Sequence, residues 1–318
     1  MIEVGTATAE PGEQAFGKLP IGEDRTGAEV ALPVAIINGQ TPGKTLYLQA
    51  ASDGDELNGV GVIAEIVPQL EPADIAGAVI AVGIVNSYGY RTGSHRNPID
   101  DTKINRTYPG DRGGSTSERI AAVTFDVARE ADLILDLHQG STSQMINECR
   151  VRCGPGHELH DECIELAKVF GCGFILDQKG PDGQLARVAP DHGIPTVDPE
   201  LGGSIGFDRR SISVGVEGIH NTLRYYDFID GEVPIETHVR ARGFEQYAAP
   251  LGGLARMDVE LGEHVDTGDR LFTMTSVFGN ERATVTADDA GIVWRMRRRP
   301  QVASGEYVCT VGTTLDEI

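Results

Sequence analysis

Along the first 230 positions, short apolar runs alternate with longer stretches in which apolar residues recur at helical spacing. The short runs at 30–36, 45–50, 79–84, 133–137, 147–153 and 174–176 predict strands. The helical patterns fall at 57–70, 116–130, 158–170 and 213–226. This alternation predicts an α/β domain whose mostly parallel sheet is covered on both faces. Such sheets bind ligands beyond the carboxyl ends of their strands, so loops that follow strands are where chemistry is expected. The most apolar stretch, 75–85, is interrupted by Gly77 and Gly83 and is too short to cross a bilayer, so it is read as a buried strand.

The pattern changes near Gly231, and from Phe244 onward glycine-punctuated short strands follow one another. Two domains are therefore expected, at 1–235 and 243–318, the second small and all-β. Within it Leu261, Gly262, Val265, Gly268, Asp269 and Leu271 resemble the turn motif of the barrel-sandwich fold of lipoyl and biotinyl carriers. No lysine follows Lys179, so a swinging cofactor arm is excluded and a structural or site-shaping role is expected. The run Arg295–Arg299 is expected as a solvated strand edge.

Charge narrows the partners. Forty-eight acidic residues against 27 basic give a net charge of −21, a field that repels nucleic acid. The excess runs through the whole chain and lysine is scarce, a balance resembling proteins of salt-loving organisms. The first ten residues lack the basic start and apolar core of a secretory signal. Five cysteines without paired spacing are expected as free thiols in a reducing cytoplasm. The stretch from Cys149 to Cys163 invites a metal reading. However, Cys149 and Cys153 would lie roughly 13 Å apart along a strand, too far for one zinc. His157 and His160 are expected exposed at the start of the next helix.

Three segments stand where an α/β active site belongs. Asp53 and Glu56, three apart, follow a strand and open a helix, whose amino end favours negative charge. Taken alone they would serve as a helix cap. His138 ends the apolar strand L-I-L-D-L, and Glu200 follows another short strand before two glycines. Two carboxylates and an imidazole at separate strand ends favour a metal centre.

The segments D-G-D-E-L-N-G at 53–59, K-I-N-R-T-Y-P-G at 103–110, D-L-H at 136–138 and E-L-G-G at 200–203 keep the order and intervals of a family pattern. That pattern reads H-G-[DN]-E-x-x-G, D-L-N-R-x-F-P-G, D-x-H and T-x-E-x-G-G. The chain thus resembles the aspartoacylase and succinylglutamate desuccinylase family of zinc carboxypeptidase-like enzymes over nearly its whole length. The resemblance implies a three-layer α/β/α domain followed by the barrel-sandwich domain. It also implies a metal-dependent deacylase that hydrolyses the amide of a small N-acylated amino acid or amine.

By the same resemblance Asp53, Glu56 and His138 would be metal ligands, and Glu200 the general base. Arg96 would steady the oxyanion, and Asn105 and Arg106 would hold the substrate carboxylate. Tyr108 would wall the pocket, or else pack in the core. A single divalent ion is implied, zinc first, with manganese or cobalt as alternatives. Asp53 stands where the pattern has histidine; two anionic ligands weaken the pull on water and shift preference toward harder ions. Asp55 could substitute for it, and Asp136 is either a partner of His138 or a buried structural carboxylate. The expected partners are the acylated small molecule and, in a homo-oligomer, further copies of the chain, with neither nucleic acid nor membrane. Two alternatives stay open: a catalytically silent relative that binds a metabolite, and a peptidase acting at carboxyl termini.

Overall fold

The computed structural model describes residues 1–203, 206–233 and 236–318, and the boundary expected at 235 lies outside them. Among the described residues thirteen strands join in one mixed sheet and four in a smaller antiparallel one. At the centre of the large sheet Leu133–Leu137 runs parallel to Thr41–Ala50 on one side and to Thr196–Glu200 on the other. Beyond Thr41–Ala50 come Ala76–Val82, Glu29–Asn38 and Glu13–Glu23. On the other flank come Glu148–Val151, Phe174–Asp177, Val239–Ala248, Tyr307–Glu317 and Gly291–Arg297.

The sheet is less parallel than expected. Glu13–Glu23 and Glu29–Asn38 form a hairpin whose turn is fixed by Asp24 Oδ1, which accepts from the backbone N–H of Thr26 and of Ala28. Glu148–Val151 enters antiparallel to Thr196–Glu200. Val239–Ala248 pairs parallel with Phe174–Asp177 and carries the sheet on toward the β-rich end.

Alternation along Thr41–Ala50 sorts the core. Leu46, Leu48 and Ala50 face one apolar cluster, shared with Val62 and Ile66 of Asn58–Ile66, Phe170 of His160–Phe170 and Ile219 of Arg209–Tyr225. Tyr47 faces the opposite cluster, with Ile120 and Phe125 of Thr116–Ala128 and Leu185 of Leu185–Val188. Each large side chain so buried is worth about 1.5–3 kcal/mol.

Helix ends follow local chemistry. The helix at 58 stops at Ile66, short of the expected 70, because Pro68 removes a donor and forces a 3-10 turn over Val67–Gln69. The last helix starts at Arg209 rather than 213, because the Asp208 carboxylate accepts from the N–H groups of Arg210 and Ser211. Ser115 and Glu118 form a capping box at Thr116–Ala128. Gly59 lets the helix at Asn58 lie on the strand end that precedes His138; a Cβ there would stand 2.7 Å from Leu137 Cβ.

The small sheet orders Glu281–Thr286, Arg270–Thr275, Gly253–Met257 and Gln301–Val302 over a core of Leu271, Phe272, Met274 and Val293. All five cysteines are free. His157 and His160, expected exposed, are half-buried and reach Asp191 at 3.3 Å and Asp177 at 2.8 Å. No helix among the described residues is long and apolar enough to cross a membrane.

Candidate metal centre and active site

Three adjacent parallel strands end together and deliver the site. Ala50 leads into the loop that carries Asp53 and Glu56, Leu137 is followed by His138, and the third strand ends on Glu200. His138 N donates to Pro199 O at 2.8 Å and Leu201 N donates to His138 O at 2.8 Å, so the backbone holds His138 and Glu200 side by side. All four side chains are buried.

His138 Nδ1 lies 2.9 Å from Glu56 Oε2 and 3.8 Å from Asp53 Oδ2. Ligands held at about 2.0–2.2 Å around one tetrahedral zinc stand roughly 3–4 Å apart, a range close to both distances from His138 Nδ1. Asp53 Oδ1 is buried and accepts no hydrogen bond among the described residues, as an oxygen meant for a cation would. Burial and the neighbouring charge of Asp53 push Glu56 up to about 7, against the pull of His138. Burial opposes protonation of His138, yet Asp136 and Glu56 raise it well above the usual imidazole range. The anionic cluster calls for a positive charge at its centre.

Behind His138, Asp136 Oδ2 stands 3.0 Å from Nε2, and the Asn105 side-chain amide nitrogen stands 2.9 Å from the same atom. These contacts aim Nδ1 at the acidic pair. Asn105 Oδ1 in turn accepts from Leu185 N. Gln49 Nε2 donates to Asp136 Oδ1 at 2.8 Å and to the Tyr108 hydroxyl at 3.1 Å, while Tyr47 donates to Gln49 Oε1. Tyr108 is therefore buried in a polar network beneath the site. Gln139 N donates to Glu56 Oε2, and Gln139 Oε1 accepts from the N–H groups of Leu57 and Asn58, closing the helix end.

Glu200 Oε1 is 2.7 Å from Arg150 Nη1. Burial pushes the Glu200 carboxyl up, but Arg150, His138, Arg152 and Lys103 together hold it below the ordinary range. Glu148 anchors Arg150 through contacts of 2.7 and 2.8 Å, and Trp294 Nε1 donates to the other Glu148 oxygen.

Two of the expected residues lie away from this cluster. Arg96 is exposed and donates to Asp101 O at 2.8 Å. Arg106 is exposed and its guanidinium donates to Asn105 O. Five residues given no site role from the sequence join it. His95, brought in by a loop, groups with Asp53 and Glu56, and Asp198 groups with Asp136 and His138. Lys103 Nζ lies 2.9 Å from Asp53 Oδ2 and 3.0 Å from His95 Nε2. Arg150 is the fourth. Arg295 is the fifth: the run 295–299 divides, with Arg298 and Arg299 exposed and Arg295 half-buried near Arg150 and Glu200. Lys103 was legible as a departure, since it stands where the pattern D-L-N-R begins with an acid.

Acidic and imidazole donors converging at the carboxyl ends of a sheet, beside a further buried carboxylate, define a metal-dependent hydrolase. The chain belongs to the succinylglutamate desuccinylase/aspartoacylase family, whose catalytic-domain pattern matches residues 42–226. It is 27% identical to the N-alpha-acetyl-L-2,4-diaminobutyric acid deacetylase of Halomonas elongata, over 96% of this chain and 93% of that protein. Its fold matches a succinylglutamate desuccinylase from Silicibacter sp. TM1040, with TM-score 0.87 and 23% identity over 99% of this chain and all (100%) of that one. It also matches the product-bound ectoine utilization protein EutE (DoeB) from Ruegeria pomeroyi, with TM-score 0.86 and 24% identity over 99% and 100% of the two chains.

Proposed function

We propose that the chain removes a short acyl group from a monoacylated diamino acid or similar small amine, with Glu200 as general base. The juxtaposition of His138 and Glu200 on adjoining strand ends, with Glu56 2.9 Å from the imidazole, carries this reading. A divalent ion, zinc first, held by Asp53, Glu56 and His138 would polarise the amide carbonyl and acidify water. Glu200 takes a proton from the attacking water and passes it to the leaving nitrogen as the C–N bond breaks. Arg150 keeps that carboxylate ionised before the reaction, and Asn105 and Asp136 hold the imidazole in place.

The anionic end of the substrate is assigned to Arg295, which makes no ion pair or side-chain hydrogen bond among the described residues. It lines a cavity of about 320 Å³ with Thr142, Ser143, Arg297 and Glu306, to which Asp53, Glu56, His138 and Glu200 do not contribute. A half-buried guanidinium without a direct ion-pair partner suits an incoming carboxylate. For Arg96 or Arg106 to serve as first read, each guanidinium would have to leave the backbone carbonyl it now holds. We further read residues 1–235 as a three-layer catalytic unit and 243–318 as a barrel-sandwich-like unit that closes the site. The acidic, thiol-bearing chain suits a salt-rich cytoplasm. The Halomonas elongata relative is named for deacetylating N-alpha-acetyl-L-2,4-diaminobutyric acid, so this compound is the first substrate to assay.

The experiment is Glu200→Ala, assayed for bound metal and turnover together. Full metal content with turnover reduced at least about 10²-fold is expected. Retention of most activity would remove Glu200 from the mechanism.

A further inference from the structure

Lys103 opens the 3-10 turn Ile104–Arg106, two residues before the Asn105 that braces His138. Its side chain is 24% exposed, and its ammonium pairs with the buried Asp53 rather than with a surface carboxylate. It stands 2.9 Å from Asp53 Oδ2 and 3.0 Å from His95 Nε2. The other nitrogen of His95, Nδ1, lies 2.9 Å from Asp55 Oδ1. A proton on Nδ1 serves Asp55 and leaves the lone pair of Nε2 directed at the ammonium. A carboxylate behind one ring nitrogen, with the other aimed at a cation, is how metal-binding histidines are oriented.

His95 Nε2 also lies 3.6 Å from Asp53 Oδ1, and the donor atoms of Asp53, Glu56 and His95 fall within 4.8 Å of one another. They form a usable donor set for a divalent ion. An imidazole nitrogen has one lone pair, so it can serve the ammonium or the ion but not both. Asp53 Oδ2 faces the same choice in weaker form, since Asp53 Oδ1 remains free.

We propose that Lys103 is a built-in competitor of the divalent ion: its ammonium occupies donors of Asp53 and His95 that the ion uses, and His95 becomes a ligand when Lys103 withdraws. This rests on the metal-hydrolase reading but makes a separate demand. The ion must displace a resident cation, so native affinity is lower than the donor set alone would give.

The test is zinc affinity, measured by competition with a chromophoric chelator on the full chain. Lys103→Gln is expected to bind Zn²⁺ at least tenfold more tightly than the native chain. Lys103→Arg, which keeps a cation in place, should stay nearer to native affinity. Adding His95→Ala to Lys103→Gln should return most of the gain and alter the visible spectrum of the Co²⁺-loaded protein. An unchanged melting temperature in each variant checks that the fold is kept. A Lys103→Gln affinity within threefold of native, or weaker, overturns the proposal, as does a double variant that keeps the full gain. Failure of the hydrolase reading shows differently, as absent turnover in zinc-saturated native protein whatever these affinities are.

Discussion

Arg150 Nη1 meets Glu200 Oε1 at 2.7 Å across the antiparallel pair of strands Glu148–Val151 and Thr196–Glu200. Burial alone would push Glu200 up, and Arg150 is the largest influence that brings it down. Removing the guanidinium must therefore raise the carboxyl, and a base that is protonated accepts nothing. Arg150→Met is expected to move the acidic limb of the kcat/KM profile to higher pH, with a greater loss at pH 6 than at pH 9. Arg150→Lys should restore part of the shift. A profile that falls uniformly, without moving, would show that Arg150 acts on structure and not on the proton affinity of Glu200.

Glu56 sets a pH dependence of stability when metal is removed. Its folded value of about 7 lies above the ordinary 4.5, so the folded chain binds this proton more tightly than the unfolded chain. The stabilisation is complete below about 4.5 and is lost as pH rises through about 7. His138, also raised, acts in the same direction. The chelator-treated protein is expected to melt at lower temperature at pH 8 than at pH 5, and Glu56→Gln should flatten much of that slope. Because zinc and the proton compete for the same carboxylate, zinc affinity should fall as pH drops below 7. Melting scans with and without chelator check both statements, and a pH slope unaltered in Glu56→Gln would contradict them.

Gln49 ties the floor of the site together. It donates to Asp136 and Tyr108 and accepts from Tyr47, all within the buried interior. Gln49→Leu would leave those groups short of partners at a cost of about 1–3 kcal/mol. Loosening Asp136 also loosens His138, and such outer contacts typically change metal affinity by about tenfold or more. Urea unfolding and a zinc titration should show both losses; a destabilised variant with native zinc affinity would mean Asp136 does not orient the imidazole.

The sequence carried the strand ends and lost the loops. Asp53, Glu56, His138 and Glu200 could be placed at strand ends because each lies beside an apolar run whose period marks a strand or helix. His95 and Lys103 sit in the irregular stretch between Thr92 and Ile104, where no periodicity says which side chain turns inward. Arg96, one residue from His95, is exposed in the same loop and donates to Asp101 O. Arg150 and Arg295 were hidden for a different reason. Each belongs to a strand, but they meet only because Val239–Ala248 and Tyr307–Glu317 extend the catalytic sheet into the β-rich end. The change of pattern near Gly231 gave no hint that Val239–Ala248 would pair with Phe174–Asp177. Helix limits erred where Pro68 and the Asp208 cap overruled the apolar period.

Under the proposed mechanism, that continuity ties the β-rich end to Glu200. Trp294 is fully buried and its indole donates to Glu148, which pairs with Arg150, which pairs with Glu200. The next residue, Arg295, faces the same carboxylates from the half-buried edge of the cavity, and burial followed by the charge of Arg150 lowers its proton affinity. A cation so placed gains most from an anion that arrives with the substrate. A hydrogen bond to a charged group contributes about 1.5–3 kcal/mol, or roughly 10- to 100-fold in affinity. Arg295→Ala is therefore expected to raise KM by at least about tenfold for an acylated amino acid, with kcat changed far less. The matching amide, which lacks the carboxylate, should be hydrolysed equally by both forms. If the variant lost kcat on both compounds instead, Arg295 would be supporting Glu200 through Arg150, and the carboxylate would have to bind elsewhere.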